Sequence, residues 1–223
     1  MKAQPFLHEV VWQLGPVGIT GPVITTWALM AVLVVLAAGL RRRLSVHSPG
    51  RLQLLAEMAL DTLQAEMRAT MKADPAPFLP LIATLFIFIL SANLCSLVPG
   101  IEPPTGALET DLALALAVFV AVLSWGVRRH GLWGYLKTYT EPNLLMLPLN
   151  LIEALTRVVS MTVRLFGNIM SGMFISAVVL GLAGLLVPVP FMALELLTGL
   201  IQAYIFTVLA MVFIAAAAGD QGD

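Results

Sequence analysis

Charge is what this sequence has least of. Only 11% of its 223 residues are charged, whereas 59% are hydrophobic; a soluble domain carries about 25% and roughly 45–50%. The 12 basic and 13 acidic residues leave a net charge of -1. The cation clusters that displace counterions from a polyanion are missing, and no nucleic acid is expected as a partner. A single cysteine, Cys95, excludes an internal disulfide, and inside an apolar run it reads as a small buried hydrophobe. The chain has no G-x-x-x-x-G-K-[ST] phosphate loop, no histidine pair at metal-ligand spacing and no nucleophile elbow. It is therefore not expected to be a catalyst itself, and neither a cofactor nor a metal is expected.

What is present is a series of long apolar runs. Val23 to Leu40 spans 18 residues, about 27 Å as a helix, close to the ~30 Å of a hydrocarbon core. No small-residue cleavage site follows it, so a removed signal peptide is not expected. Arg41, Arg42 and Arg43 close the run and, by the positive-inside rule, mark its cytoplasmic end and leave the N-terminus outside. Residues 49–73, opened by Ser48 and Pro49 as N-cap and first turn, place Glu57, Asp61, Gln64 and Arg68 on one helical face. Leu55, Ala59, Leu63 and Met67 lie mostly on the other, which describes an amphipathic helix resting on the membrane surface or, alternatively, a soluble linker helix.

Residues 77–98 form a second spanning run. The following loop contains Glu102 and Glu109 without Lys or Arg, which suits an external position, and residues 111–127 return to Arg128 and Arg129 inside. Ala113, Ala117 and Ala121 are spaced for close helix approach, or coincide by chance in an Ala-rich helix. Nine cations fall inside on this layout and one outside. Two of the 12, Arg157 and Arg164, have no loop to belong to.

Residues 149–187 read as continuous helix of 39 residues, about 58 Å, nearly twice the bilayer core. Such a helix either folds into a hairpin near Gly167 or lies roughly 60° from the membrane normal, beyond the usual 0–40°. Periodicity favours the unbroken form, because Glu153, Arg157, Ser160, Arg164, Asn168 and Ser171 keep one face only if helical phase is uninterrupted. Residues 191–218 form the last run, in which Glu195, Thr198 and Gln202 share a face. A mid-membrane charge costs about 2.5–3.5 kcal/mol on insertion scales, so such residues face a cavity, water or a partner charge. Glu153 fits an i,i+4 ion pair with Arg157. Arg164 has no acid within one turn, and its counter-charge must come from Glu195, from water or from another protein.

Arg164-Leu165-Phe166-Gly167-Asn168, followed by Gly199-Leu200-Ile201-Gln202-Ala203-Tyr204-Ile205-Phe206, closely resembles the signature of subunit a of F-type ATP synthases. Asn93-Leu94, Leu97-Val98-Pro99-Gly100 and Pro148-Leu149-Asn150-Leu151-Ile152-Glu153 extend the likeness over most of the chain. The resemblance implies an all-α integral membrane protein: about three ordinary transmembrane helices, one surface helix, and two long, steeply tilted helices forming a hairpin. It implies the stator half of an ion channel beside the rotating c-ring, with peripheral-stalk b subunits as further partners and H+ or Na+ as the ion. Arg164 matches the arginine that faces the c-ring carboxylates, Gln202 is implied to pack beside it, Asn168 to line the ion path, and Glu195 to act as relay carboxylate. Glu153, Ser171, Thr198, Asp111 and Asn93 are accessory candidates for the path. Met173 departs from the pattern, since an ionisable residue is common there and a thioether relays no proton. Val158 also departs, standing where a proline often follows the basic residue. A secondary transporter with a midplane site around Arg164 and Glu195 is the alternative.

Overall fold

A computed structural model describes residues 10–14, 17–42, 44–45, 50–71, 74–98, 101–140, 146–183 and 188–218. The architecture is all-α apart from one short antiparallel ribbon, β1 (Val10–Leu14) and β2 (Val17–Thr20), which the apolar patterning did not anticipate. Six helices follow: α1 (Gly21–Arg42), α2 (Arg51–Met71), α3 (Leu79–Cys95), α4 (Leu108–Thr140), α5 (Met146–Ala183) and α6 (Pro188–Ala218). Four of them, α1, the first part of α4, α5 and α6, contain stretches long and apolar enough to cross a membrane. The fifth apolar helix, α3, has 17 residues, the lower limit for a span.

The helix ends follow from local chemistry. Proline opens α6, where a missing N–H costs nothing because the first-turn donors are unpaired anyway. Arg41 and Arg42 close α1, complementing the negative end of its dipole. Gly131, at φ 70, breaks the α4 axis just beyond Arg128 and Arg129. Before α2, Ser45 is held on both sides by Gln53, whose Oε1 accepts the Ser45 N–H (3.0 Å) and whose Nε2 donates to the Ser45 carbonyl (3.1 Å). Ser48 and Pro49 lie outside the described residues.

The core joins α2, α3, α4, α5 and α6 through Met67, Ile82, Ile89, Val118, Leu165, Phe206 and Ile214. Its α5 component is the row Ala154, Val158, Met161, Leu165, Ile169, all buried. Each member follows directly after Glu153, Arg157, Ser160, Arg164 or Asn168, so the polar row lies about 100° away, at the rim of the helix interface. Val158 is packed and the helix runs unbroken through it.

Two expectations are corrected. The buried face of α4 is Asp111, Ala115, Val118 and Val122, whereas Ala113 and Ala117 are exposed and only Ala121 of the alanine row packs against the core, so that row is not the stripe on which α4 meets this chain's own helices. The connection from α3 to α4 is not simply a solvated loop either. Glu102 and Glu109 are exposed, but Pro103 to Ala107 folds back onto the bundle as a buried 3-10 turn (Pro104–Gly106). Gly106 faces α5: a Cβ there would lie 3.6 Å from both Ile169 Cγ2 and Met173 Sδ, in ordinary van der Waals contact. The turn is also pinned to α1, where the Thr25 hydroxyl donates to the Glu102 carbonyl at 2.8 Å. Two ends of the bundle can thus be distinguished, a loop end carrying this turn and an arginine end carrying Arg41–Arg42 and Arg128–Arg129.

Candidate functional site

The antiparallel pair α5 and α6 carries the charged residues. Towards the arginine end, an open groove of about 330 Å³ is lined by Glu153, Thr156, Arg157, Ser160, Met161, Arg164, Leu209 and Phe213. The two arginines in it differ. Arg157 is paired with Glu153 one turn earlier, and its guanidinium lies over the Phe213 ring at 4.7 Å from the centroid. It is thus neutralised within its own subunit and covered by an aromatic face that favours a cation. Arg164, two turns further along, is exposed and forms no ion pair or hydrogen bond among the described residues. Its helix neighbour Val163 is exposed as well, and Leu165 on its other side is buried in the core.

Glu195 sits nearer the loop end and is not paired with Arg164. Its side chain lies against the α5 backbone at Gly172, where a Cβ would stand 2.6 Å from the Glu195 carboxyl carbon. The hydroxyls of Ser96 and Ser176 flank the carboxyl group, and Oε1 is buried without a partner. Gln202, two turns further along α6, is buried, and its Nε2 has no hydrogen-bond partner; it makes no hydrogen bond to Arg164. Asn168 is half-buried with an unpartnered Nδ2. These three unmet polar groups lie along the α5–α6 pair. Buried polar groups are normally satisfied, and groups of this kind, two donors and one acceptor, are ones that water can complete.

The accessory candidates divide. Ser171 and Thr198 are exposed, and each hydroxyl donates to a carbonyl of its own helix, Asn168 (2.9 Å) and Glu195 (3.0 Å). Asn93 is buried and fully engaged: Nδ2 donates to the Gly199 carbonyl at 2.8 Å, and Oδ1 accepts from the Thr105 hydroxyl at 3.0 Å. It ties α3, the 3-10 turn and α6 together. Asp111 is enclosed in the α4 face, away from solvent. Met173 is partly exposed, with its sulfur beside Gly106.

Sequence reasoning missed Ser96, Ser176, Gly172, Thr105 and Phe213. Gly172 had a legible signal, being four residues beyond Asn168 on the polar row. The serines had none, since their relevance arises only when α3, α5 and α6 meet.

Several membrane-crossing helices and a row of charged and amide side chains along one helix pair define a multi-pass membrane protein with a polar face at membrane depth. Residues 23–215 match the ATP synthase A chain family. Among similar proteins, "ATP synthase subunit a 2" of Bradyrhizobium sp. (strain BTAi1) is 51% identical over 220 residues, covering 99% of this chain and 98% of that protein. "ATP synthase subunit a 1" of Chlorobaculum parvum is 46% identical over 93% of this chain and 92% of its own. "ATP synthase subunit a" of Albidiferax ferrireducens is 43% identical over 93% and 90%. The chain belongs to the ATP synthase A chain family, as a membrane subunit of an F-type ATP synthase.

Proposed function

We propose that this chain is the ion-translocating stator subunit of the membrane sector, working against the c-ring and held by the peripheral-stalk b subunits in a bacterial inner membrane, with its N-terminus outside. The observation that carries this is the contrast between the two arginines. Arg157 has its counter-charge and its aromatic cover, whereas Arg164 stands exposed with neither. An unpaired guanidinium at membrane depth is unfavourable by about 2.5–3.5 kcal/mol and is sustained when an anionic partner presents itself from outside the subunit.

A c-ring carboxylate supplies that partner. At about 4 Å and an effective dielectric near 20 the attraction is roughly 4 kcal/mol, enough to hold the carboxylate ionised yet recoverable as the ring turns. A guanidinium keeps its charge at any accessible pH, so an ion cannot pass Arg164 directly and must ride the ring. The groove from Arg164 past Ser160 and Thr156 to Glu153 serves as the inner half-channel. Glu195, with Ser96, Ser176 and Asn168, lines the outer one. Because Met173 relays no proton, these oxygens carry the step that an ionisable side chain there would otherwise take. Each H+ or Na+ that crosses delivers about 2.3 kcal/mol per 100 mV, which the ring receives as rotation.

A secondary transporter built around Arg164 and Glu195 would use both side chains at one site. The lack of an ion pair between them and the unbroken course of α5 favour the stator. The test is Arg164→Ala in the reconstituted complex. ATP-driven ion pumping is expected to be lost while the subunit still assembles; intact pumping overturns the proposal, and solute uptake by the purified chain alone establishes the transporter.

A further inference from the structure

Asp111 is the one acidic side chain wholly buried among the described residues, at 0% exposure, and neither of its carboxyl oxygens has a hydrogen-bond partner. It lies in the opening turns of α4, on the face it shares with Ala115, Val118 and Val122. The Pro103–Ala107 fold-back adjoins it, and the Asp111 N–H donates to the Ala107 carbonyl at 3.3 Å. Neither α3, the connection nor the membrane part of α4 supplies a cation before Arg128, since the sequence has no Lys or Arg from Asp74 to Val127. The Thr105 hydroxyl, buried in the same fold-back, is committed to Asn93.

An unpaired carboxylate in an apolar interior is strongly disfavoured, and even the neutral acid forgoes its hydrogen bonds there. A leucine or alanine would complete the Ala115–Val118–Val122 face without that penalty, so the carboxyl has a task that requires exchange of its charge. A metal cation is a poor fit. Hard cations gather several oxygen ligands, and no group of three or more acidic, histidine or cysteine side chains that could hold one occurs among the described residues. A proton needs only the carboxyl group.

Building on the ion-translocating function proposed above, we infer that Asp111 is a proton-binding station on the loop-end access path, upstream of Glu195. It takes one proton from water beyond the Pro103–Ala107 fold-back and releases one towards the α5–α6 face. Only O–H bonds form and break, and the carboxyl returns to its starting state.

The test uses the assembled ATP synthase. A hydrophobic carbodiimide modifies protonated carboxyls, and the adducts are located by peptide mass spectrometry, with the c-ring carboxyl in the same digest as a positive control. An adduct at Asp111 that sodium does not suppress is expected. Asp111→Asn, which keeps the shape but cannot exchange a proton, is expected to lose most ATP-driven pumping. No adduct at Asp111 beside a labelled ring, or protection by sodium, overturns the inference. So does wild-type pumping by both Asp111→Asn and Asp111→Leu, which reduces the residue to packing. If Asp111→Asn fails to assemble, the labelling of the unaltered complex still decides. An active Asp111→Asn beside an inactive Arg164→Ala sinks this inference alone, whereas an active Arg164→Ala sinks the function on which it rests.

Discussion

Replacing Gly172 by alanine separates position from stability at the α5–α6 pair. The new Cβ would stand 2.6 Å from the Glu195 carboxyl carbon and 2.8 Å from both Cγ and Oε1. Carbon atoms settle at about 3.5–4.0 Å, so one partner must move by about 1 Å. Every atom in the clash belongs to the outer part of a flexible side chain, which turns away more easily than a helix shifts. The carboxyl group is therefore displaced from Ser96 and Ser176 while the helices stay in place. Misplacement of a reacting group by about 1 Å can slow a reaction about 10²-fold, whereas the fold should lose less than about 1.5 kcal/mol. Gly199→Ala provides the contrast. There the Cβ would meet Asn93 Cβ at 3.1 Å and Nδ2 at 3.3 Å, atoms close to the α3 backbone that cannot swing aside, and overpacking of about 1–3 kcal/mol is expected. Both variants would be measured by ATP-driven pumping in proteoliposomes and by thermal unfolding in detergent. Gly172→Ala should pump poorly at near-normal stability, and Gly199→Ala should lose stability first. Wild-type pumping by Gly172→Ala would refute the reasoning, because the carboxyl position would then not matter.

Asn93→Ala removes two hydrogen bonds and strands the buried Thr105 hydroxyl. The expected loss is roughly 2–4 kcal/mol, read as a lower unfolding temperature in detergent, and an unchanged value would show that the tie carries no weight. Gly131→Ala meets no atom within 4 Å, but φ 70 with ψ 166 is backbone that only glycine adopts readily. A loss of about 1–3 kcal/mol from strain alone is expected; a variant as stable as the parent would show that the bend is not needed.

The apolar runs and the polar row of α5 were legible because both depend on periodicity, a property of one helix at a time. Glu153 and Arg157 were recognisable as a pair for the same reason, being one turn apart. The Pro103–Ala107 fold-back was not legible. Its two nearby acids and lack of cations describe a solvated loop equally well, and the difference lies in Gly106 meeting Ile169 and Met173 of a distant helix. Asp111 accordingly reads in the sequence only as an accessory candidate for the ion path. One signal was available, since Asp111 stands four residues before Ala115 and so continues the Val118–Val122 row onto the buried face. For α2, the amphipathic pattern distinguished two faces without saying how far each is covered. Met67 and Met71 are buried and the Tyr204 hydroxyl donates to Glu66 at 3.5 Å, while Leu54, Leu55 and Met58 remain exposed.

The Asn93–Gly199 contact also fixes how far α6 can slide. Helices repack past one another in jumps of a whole turn, about 5.4 Å. A jump by α6 in either direction would bring Glu195 or Ala203 opposite Asn93 in place of Gly199. Both carry a Cβ, and at this spacing that atom would come within 3.1 Å of Asn93 Cβ. The glycine therefore works as a notch that favours one alignment of α6 against α3 and resists sliding by a turn.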